Sequence, residues 1–186
     1  MSQTAAPAKG FALRDLAFIG LFAVLIAVCS WITIPGAVPF TLQTFGVFCT
    51  LGMLGGRRGT CAILVYILLG IVGIPVFSGF TGGIGQLLGM TGGYILGFLL
   101  MGLLYWLMTR LAGSSLPVMI LAMVLGLAVC CTFGTIWFLQ VYTRQKGAIT
   151  LMAALWSCVF PFLIPDGIKL ALALLLTKRL TRQFRI

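Results

Sequence analysis

The sequence predicts an all-α integral membrane protein with six transmembrane helices. Three observations carry this. Apolar residues make up 61% of the 186-residue chain and charged residues only 8%, against about 45–50% and about 25% in soluble domains. Mean hydropathy is +1.20. The apolar residues gather into runs punctuated by Gly, Pro and Arg, and the longer runs reach the roughly 20 residues that cross a bilayer core.

The spans follow in order. The first covers about residues 13–34 and stops at Pro35-Gly36. The second, about 41–54, ends at Gly55-Gly56-Arg57-Arg58, and the third, about 60–74, stops at Pro75. Both are short for a full crossing. The fourth and fifth cover about 92–111 and 116–141. The last apolar stretch, Ala148–Leu180, has 33 residues and would reach about 50 Å as one helix. Pro161 and Pro165 lie inside it, and an interior proline removes a helical hydrogen bond and clashes with the preceding turn. The stretch therefore divides into a short outer segment, about 148–160, and a sixth helix, about 165–182, with Pro165 in its first turn.

Lys9 and Arg14 precede the first run, as in a signal peptide. The run is long enough to span and no convincing cleavage site follows, so the expectation is a retained first helix. The whole chain, 1–186, then reads as one transmembrane domain. With six spans, Lys9, Arg14, Arg57, Arg58, Arg110, Lys178, Arg179, Arg182 and Arg185 fall on one side of the bilayer. Only Arg144 and Lys146 fall on the other, and Lys169 stands apart near the sixth helix. The positive-inside rule places both termini in the cytoplasm. Three loops then face outward: 35–40, 75–91 and the region around 144–166.

Composition also narrows the function. The chain has no His and only two acids, Asp15 and Asp166. These sit on opposite sides of the membrane, so no carboxylate pair and no metal-ligand set can assemble. Cys29, Cys49, Cys61, Cys130, Cys131 and Cys158 form no CxxC pair and read as small apolar packing residues. No Gly-Lys-Ser/Thr phosphate loop is present. The net charge of +10 follows the loops, as a topology signal does, and does not imply nucleic-acid binding. The expectation is a protein that is not an enzyme and has no cofactor, so any ATP-driven work falls to partners.

Four segments could carry function. In Pro161-Phe-Leu-Ile-Pro-Asp-Gly-Ile-Lys169, Asp166 and Lys169 are spaced i, i+3 on one helix face. Charge inside a membrane is costly, so the pair should face a cavity or a partner. The alternative is that the two residues simply pair and hold the helix in place. In Ser78–Gly93, seven of 16 residues are Gly. Its backbone, with Thr81, Gly82, Gly83, Gln86, Thr91 and Tyr94, could line a polar site; close helix packing is the competing reading. In Val38-Pro-Phe-Thr-Leu-Gln-Thr44, Gln43 and Thr44 could belong to a gate over an outer pocket, or Thr41 could merely cap the second span. On the first span, Gly20, Ala23 and Ala27 form a small-residue stripe that suits docking to another helix, external or internal. Trp31, Trp106, Trp137 and Trp156 read as interfacial anchors.

Together these segments resemble the BioY family, the biotin-binding S components of energy-coupling factor (ECF) transporters. The resemblance rests on Val38–Thr44, on Gly82-Gly-Ile-Gly85 with Thr91-Gly-Gly-Tyr94, and on Pro161–Lys169. It implies an S-component fold of six transmembrane helices with a vitamin pocket near the extracellular face. It implies a high-affinity biotin-binding and uptake subunit in the bacterial cell membrane. Asp166 and Lys169 would contact biotin, and loops after the first and third spans would close the site. Ala23 and Ala27 would dock on an EcfT-type transmembrane protein that works with two ATPase subunits. Other readings are an S component for a different vitamin, a solitary biotin transporter, and a membrane-embedded enzyme acting on lipid.

Overall fold

The computed structural model describes residues 11–35 and 38–184. Lys9, Gly36 and Arg185 lie outside them. The order of elements is α1 (Leu13–Trp31), β1 (Thr33–Ile34), β2 (Phe40–Thr41), α2 (Gln43–Ile71), α3 (Ile84–Leu88), α4 (Gly92–Ala112), α5 (Leu116–Lys146), α6 (Leu151–Cys158) and α7 (Phe160–Phe184). Among the described residues five helical stretches are long and apolar enough to cross a membrane.

A sixth crossing comes from α2, which is one element in name only. At Gly55 the backbone takes φ 75° and ψ 178°, a conformation that suits a residue without a Cβ. The chain reverses there. Gln43 Nε2 donates to the Tyr66 hydroxyl at 2.9 Å, whereas 23 residues of straight helix would separate them by about 35 Å. A Cβ on Gly59 would lie 3.1 Å from the Leu51 Cα, so the two arms touch. They are short, as their sequence suggests, because the turn between them takes only one residue.

The helices pack as the runs allow. α1 lies on α2, α4 on both α2 and α5, and α7 on α2. The core gathers Ile26, Phe48, Leu51, Ile63, Tyr66, Phe77, Met101 and Met123. Leu21, Val24 and Val28 of α1 and Leu121, Val124 and Val129 of α5 point outward. Apolar residues on both the inner and outer faces are what a lipid surround requires. Arg58 pairs with Asp15 at 3.0 Å, which ties the start of α1 to the reversal of α2.

Several boundaries differ from the sequence expectation. α5 continues past residue 141 through Lys146, because Arg144 and Lys146 fit the last turn of a helix, where cations favour the carbonyl end. The final helix starts at Phe160, with Pro165 inside it rather than at its head. The break falls at Val159, whose φ of −125° and ψ of −59° separate α6 from α7. Two elements were not legible as such: the β1–β2 hairpin, with Thr33 opposite Thr41 and Ile34 opposite Phe40, and the five-residue α3 within the glycine-rich loop.

Candidate ligand-binding site

The first turns of α7 carry the only buried acid–base pair among the described residues. Lys169 Nζ donates to Asp166 Oδ1 at 2.7 Å, and the residues are 5% and 6% exposed. One helical turn sets that contact. Lys169 Nζ also donates to the Thr41 carbonyl at 2.8 Å and lies 4.1 Å from the centre of the Phe40 ring. Phe40 in turn stacks on Phe162 at 5.8 Å. The β1–β2 hairpin is thus latched to α7 by one ammonium group and one aromatic pair.

The pair opens into a pocket. Thr41, Gln43 and Thr44 come from the hairpin and the first arm of α2, and Thr91 and Tyr94 from the start of α4. Leu127, Cys130 and Cys131 come from α5, Cys158 from α6 and Phe162 from α7. Most of the wall is apolar. Its polar groups are few and mostly held: Gln43 by Tyr66, and the Tyr94 hydroxyl by Thr135 Oγ1 at 3.0 Å. Asp166 Oδ2 has no protein donor among the described residues. It is a free acceptor in the pocket wall, and a charged one. Such a pocket suits a small molecule with an apolar body and a neutral polar head, because the ion pair leaves the site without net charge.

The structure brings together Asp166, Lys169, Gln43, Thr44, Thr91 and Tyr94. It does not bring in Thr81, Gly82, Gly83 or Gln86. Thr81 is exposed and donates to the Ser78 carbonyl at 2.9 Å within its own turn. The Gly83 N–H donates to the Gly70 carbonyl at 2.6 Å, at a φ of 92°. A Cβ on Gly82 would lie 2.5 Å from the Ile74 carbonyl oxygen. These two glycines serve the close approach of the loop to the end of α2. Gln86 lines an adjoining depression with Pro35, Gly79 and Met90, which shares Pro39, Ser78 and Thr91 with the pocket, and its contact to Thr91 is long, at 3.5 Å.

The small-residue stripe of α1 packs inward at two of its three positions. Ala23 and Ala27 are 1% and 4% exposed and belong to the core beside α2. They share a face of α1 with Ile19, Ile26 and Ser30, all buried, because residues three and four apart stack on one side of a helix. Gly20, one turn before Ala23 on the same side, is half-buried, and an added Cβ there would meet nothing within 4 Å.

Sequence reasoning missed other wall residues. Cys130, Cys131 and Cys158 read as packing residues, yet all three line the pocket. No spacing distinguishes such a thiol from a core one. Phe40 and Phe162 were within reach, because each stands inside a motif that also supplies a polar wall residue. Of the tryptophans, Trp31 donates to the Pro75 carbonyl at 2.9 Å and Trp137 to the Gly89 carbonyl at 3.0 Å. Both tie helices to the glycine-rich loop.

Known proteins resemble this chain in sequence and fold. The BioY family model matches residues 1–186. The biotin transporter BioY of Thermotoga maritima is 38% identical over 171 residues, covering 91% of this chain and 97% of that protein. Biotin transporter BioY2 of Lactococcus lactis is 41% identical over 150 residues, covering 80% and 81%. The crystal structure of the S-component for biotin from an ECF-type ABC transporter superposes with a TM-score of 0.79 at 26% identity, covering 92% of each chain. The chain belongs to the BioY family.

Proposed function

We propose that this chain is the biotin-binding uptake subunit of an ECF transporter, with biotin held in the pocket beside Asp166 and Lys169. One observation carries the reading: a buried acid and amine, in a chain with 2 acids in all, meet inside a pocket whose surface is mostly apolar. Biotin has an apolar ring system, two ureido N–H donors, a ureido carbonyl and a carboxylate. A net-neutral ion pair favours the neutral ureido end over the carboxylate. Asp166 Oδ2 accepts a ureido N–H, and the apolar wall of Phe98, Leu127 and Phe162 covers the rings. The hairpin latched by Lys169 closes over the guest. No nucleotide site stands in the sequence, so transport draws on an EcfT-type membrane protein and two ATPase subunits. The exposed edge of α1 around Gly20 is the docking face in this reading. The pocket faces the cell exterior and both termini lie in the cytoplasm, which the gathering of basic residues at the other end supports.

Titration calorimetry of the purified full-length chain against a vitamin panel tests the assignment. Biotin alone should bind with high affinity, and Asp166→Asn and Lys169→Ala should each weaken it while the protein still inserts into membranes. Normal biotin binding by both variants would sink the site. Tight binding of a different vitamin would replace the ligand and keep the fold. Deleting the partner genes and following labelled biotin separates an ATP-driven subunit from a solitary transporter.

A further inference from the structure

A second cavity of about 440 Å³ lies at the end of the bundle away from Asp166 and Lys169. The reversal of α2, Gly52 to Gly55, forms its floor, with Tyr105 of α4 beside it. Leu116 and Met119 of α5 form one flank and Leu174 of α7 the other. α5 packs on α4 and α7 packs on α2. α5 and α7 do not pack extensively on each other, the cleft lies between them, and Leu116 in its lining is 48% exposed.

Two cations stand at this cleft, Arg58 and Lys178. Arg58 contacts Asp15 at 3.0 Å through one guanidinium nitrogen, which leaves further donors. Lys178 has no acidic partner among the described residues. Deeper in the same wall, Thr177 is 8% exposed and its Oγ1 has no hydrogen-bond partner. Two other buried helical threonines are satisfied: Thr50 donates to the Gly46 carbonyl and Thr60 to the Gly56 carbonyl, both at 2.7 Å. A buried hydroxyl left unpaired beside two cations and an apolar flank points to a missing acceptor.

We propose that this cleft binds the headgroup of an anionic phospholipid. The phosphate meets Lys178 and the free donors of Arg58, the Thr177 hydroxyl donates to a headgroup oxygen, and an acyl chain follows Leu116, Met119 and Leu174. Three features specify this occupant. It is anionic, because the cleft carries two cations against one acid. It is amphipathic, because the flanks are apolar. It comes from the bilayer, because the apolar flanks belong to two membrane-spanning helices.

The test uses the full-length chain in nanodiscs of phosphatidylcholine with or without phosphatidylglycerol, with retained lipid counted by native mass spectrometry. The wild type should retain phosphatidylglycerol in preference to phosphatidylcholine. Lys178→Gln should cut that preference about fivefold, the scale of one basic residue at an anionic surface. Thr177→Val keeps the side-chain shape and should cut it about threefold, the scale of one hydrogen bond. Arg110→Gln, in the last turn of α4 and outside the cleft, should leave it unchanged. Equal retention of the two lipids by the wild type overturns the proposal, as does an unchanged preference in either cleft variant. So does a loss in Arg110→Gln equal to that in Lys178→Gln, which would mean diffuse surface charge. Displacement of the lipid by free biotin would also overturn it and make the cleft a site for the vitamin's carboxylate. Melting temperature and biotin affinity, measured on each variant, report separately on the fold and on the opposite pocket.

Discussion

Two segments compete as pocket lining, Pro161–Lys169 and Ser78–Gly93, and the structure treats them differently. The first sends both of its charges into the pocket wall. The second contributes only Ser78 at one end and Thr91 near the other, with Tyr94 just beyond it; Thr81, Gly82, Gly83 and Gln86 stay outside. The difference lies in what each residue type reports. A charge at membrane depth must find a partner or a cavity, so it marks a location. A glycine marks only that backbones come close or that φ is positive. Gly82 and Gly83 satisfy that need against Ile74 and Gly70 and have no further use for a ligand.

The largest expected effect breaks this comparison at its stronger side. Asp166→Asn removes the charge that balances Lys169, which is 5% exposed, and makes the remaining oxygen a poorer acceptor. Hydrogen bonds to charged groups contribute about 1.5–3 kcal/mol each. Biotin affinity should fall about 100-fold, read by calorimetry, with far-UV circular dichroism unchanged. A fall below tenfold would mean that the pair serves the bundle and not the ligand.

The next effect concerns stability. Ala23 has neighbours on every side, and an added Cβ on Gly46 would come within 3.2 Å of Ile26 and Cys29 on the same face of α1. Ala23→Leu should destabilise the fold by about 1–3 kcal/mol, the usual cost of overpacking. Gly20→Leu should leave the melting temperature unchanged and reduce co-purification with the transmembrane partner. The reverse pattern would return the docking face to Ala23 and Ala27.

These outcomes bear on what the sequence makes legible. Hydropathy runs and the basic residues expose the spans, because lipid imposes one requirement on every residue of a run. Asp166 and Lys169 stand out for the same reason in reverse. The direction in which α1 faces does not stand out. Its apolar residues are nearly uniform around the helix, so nothing in Leu13–Trp31 separates the buried Ala23 from the exposed Val24. In a soluble helix the polar face would have settled it. The reversal at Gly55 is visible as Gly-Gly-Arg-Arg, yet the contact between Gln43 and Tyr66 depends on how two short arms align. The thiols of the pocket are hidden because a buried cysteine looks the same beside a ligand as beside a leucine.

A smaller effect sharpens the role of the hairpin. Phe40 covers the Lys169 ammonium at 4.1 Å and stacks on Phe162. A cation over an aromatic ring is worth about 0.5–1 kcal/mol at exposed sites and about 2 when desolvated. Phe40→Ala should therefore speed biotin release about fivefold to tenfold in a stopped-flow chase and change the association rate less. An equal change in both rates would make the hairpin a passive wall instead of a latch.

The smallest effect tests the weaker side of the comparison. Gln86→Ala removes one contact of 3.5 Å to Thr91, beyond the usual range for an N–H···O bond. It widens a depression that adjoins the Asp166 pocket through Pro39, Ser78 and Thr91, while Gln86 itself lies outside that pocket. Biotin affinity should change by less than about twofold, within the reach of a lost surface contact. Thr81→Ala should behave alike, because its hydroxyl serves only the Ser78 carbonyl. The null result carries information because both residues lie in the segment whose last turn does enter the pocket, through Thr91 and Tyr94. A tenfold loss in Gln86→Ala would require α3 to swing inward when biotin binds. The glycines at 83 and 89, which flank α3, would then be hinges of a second gate, facing the hairpin across the same mouth.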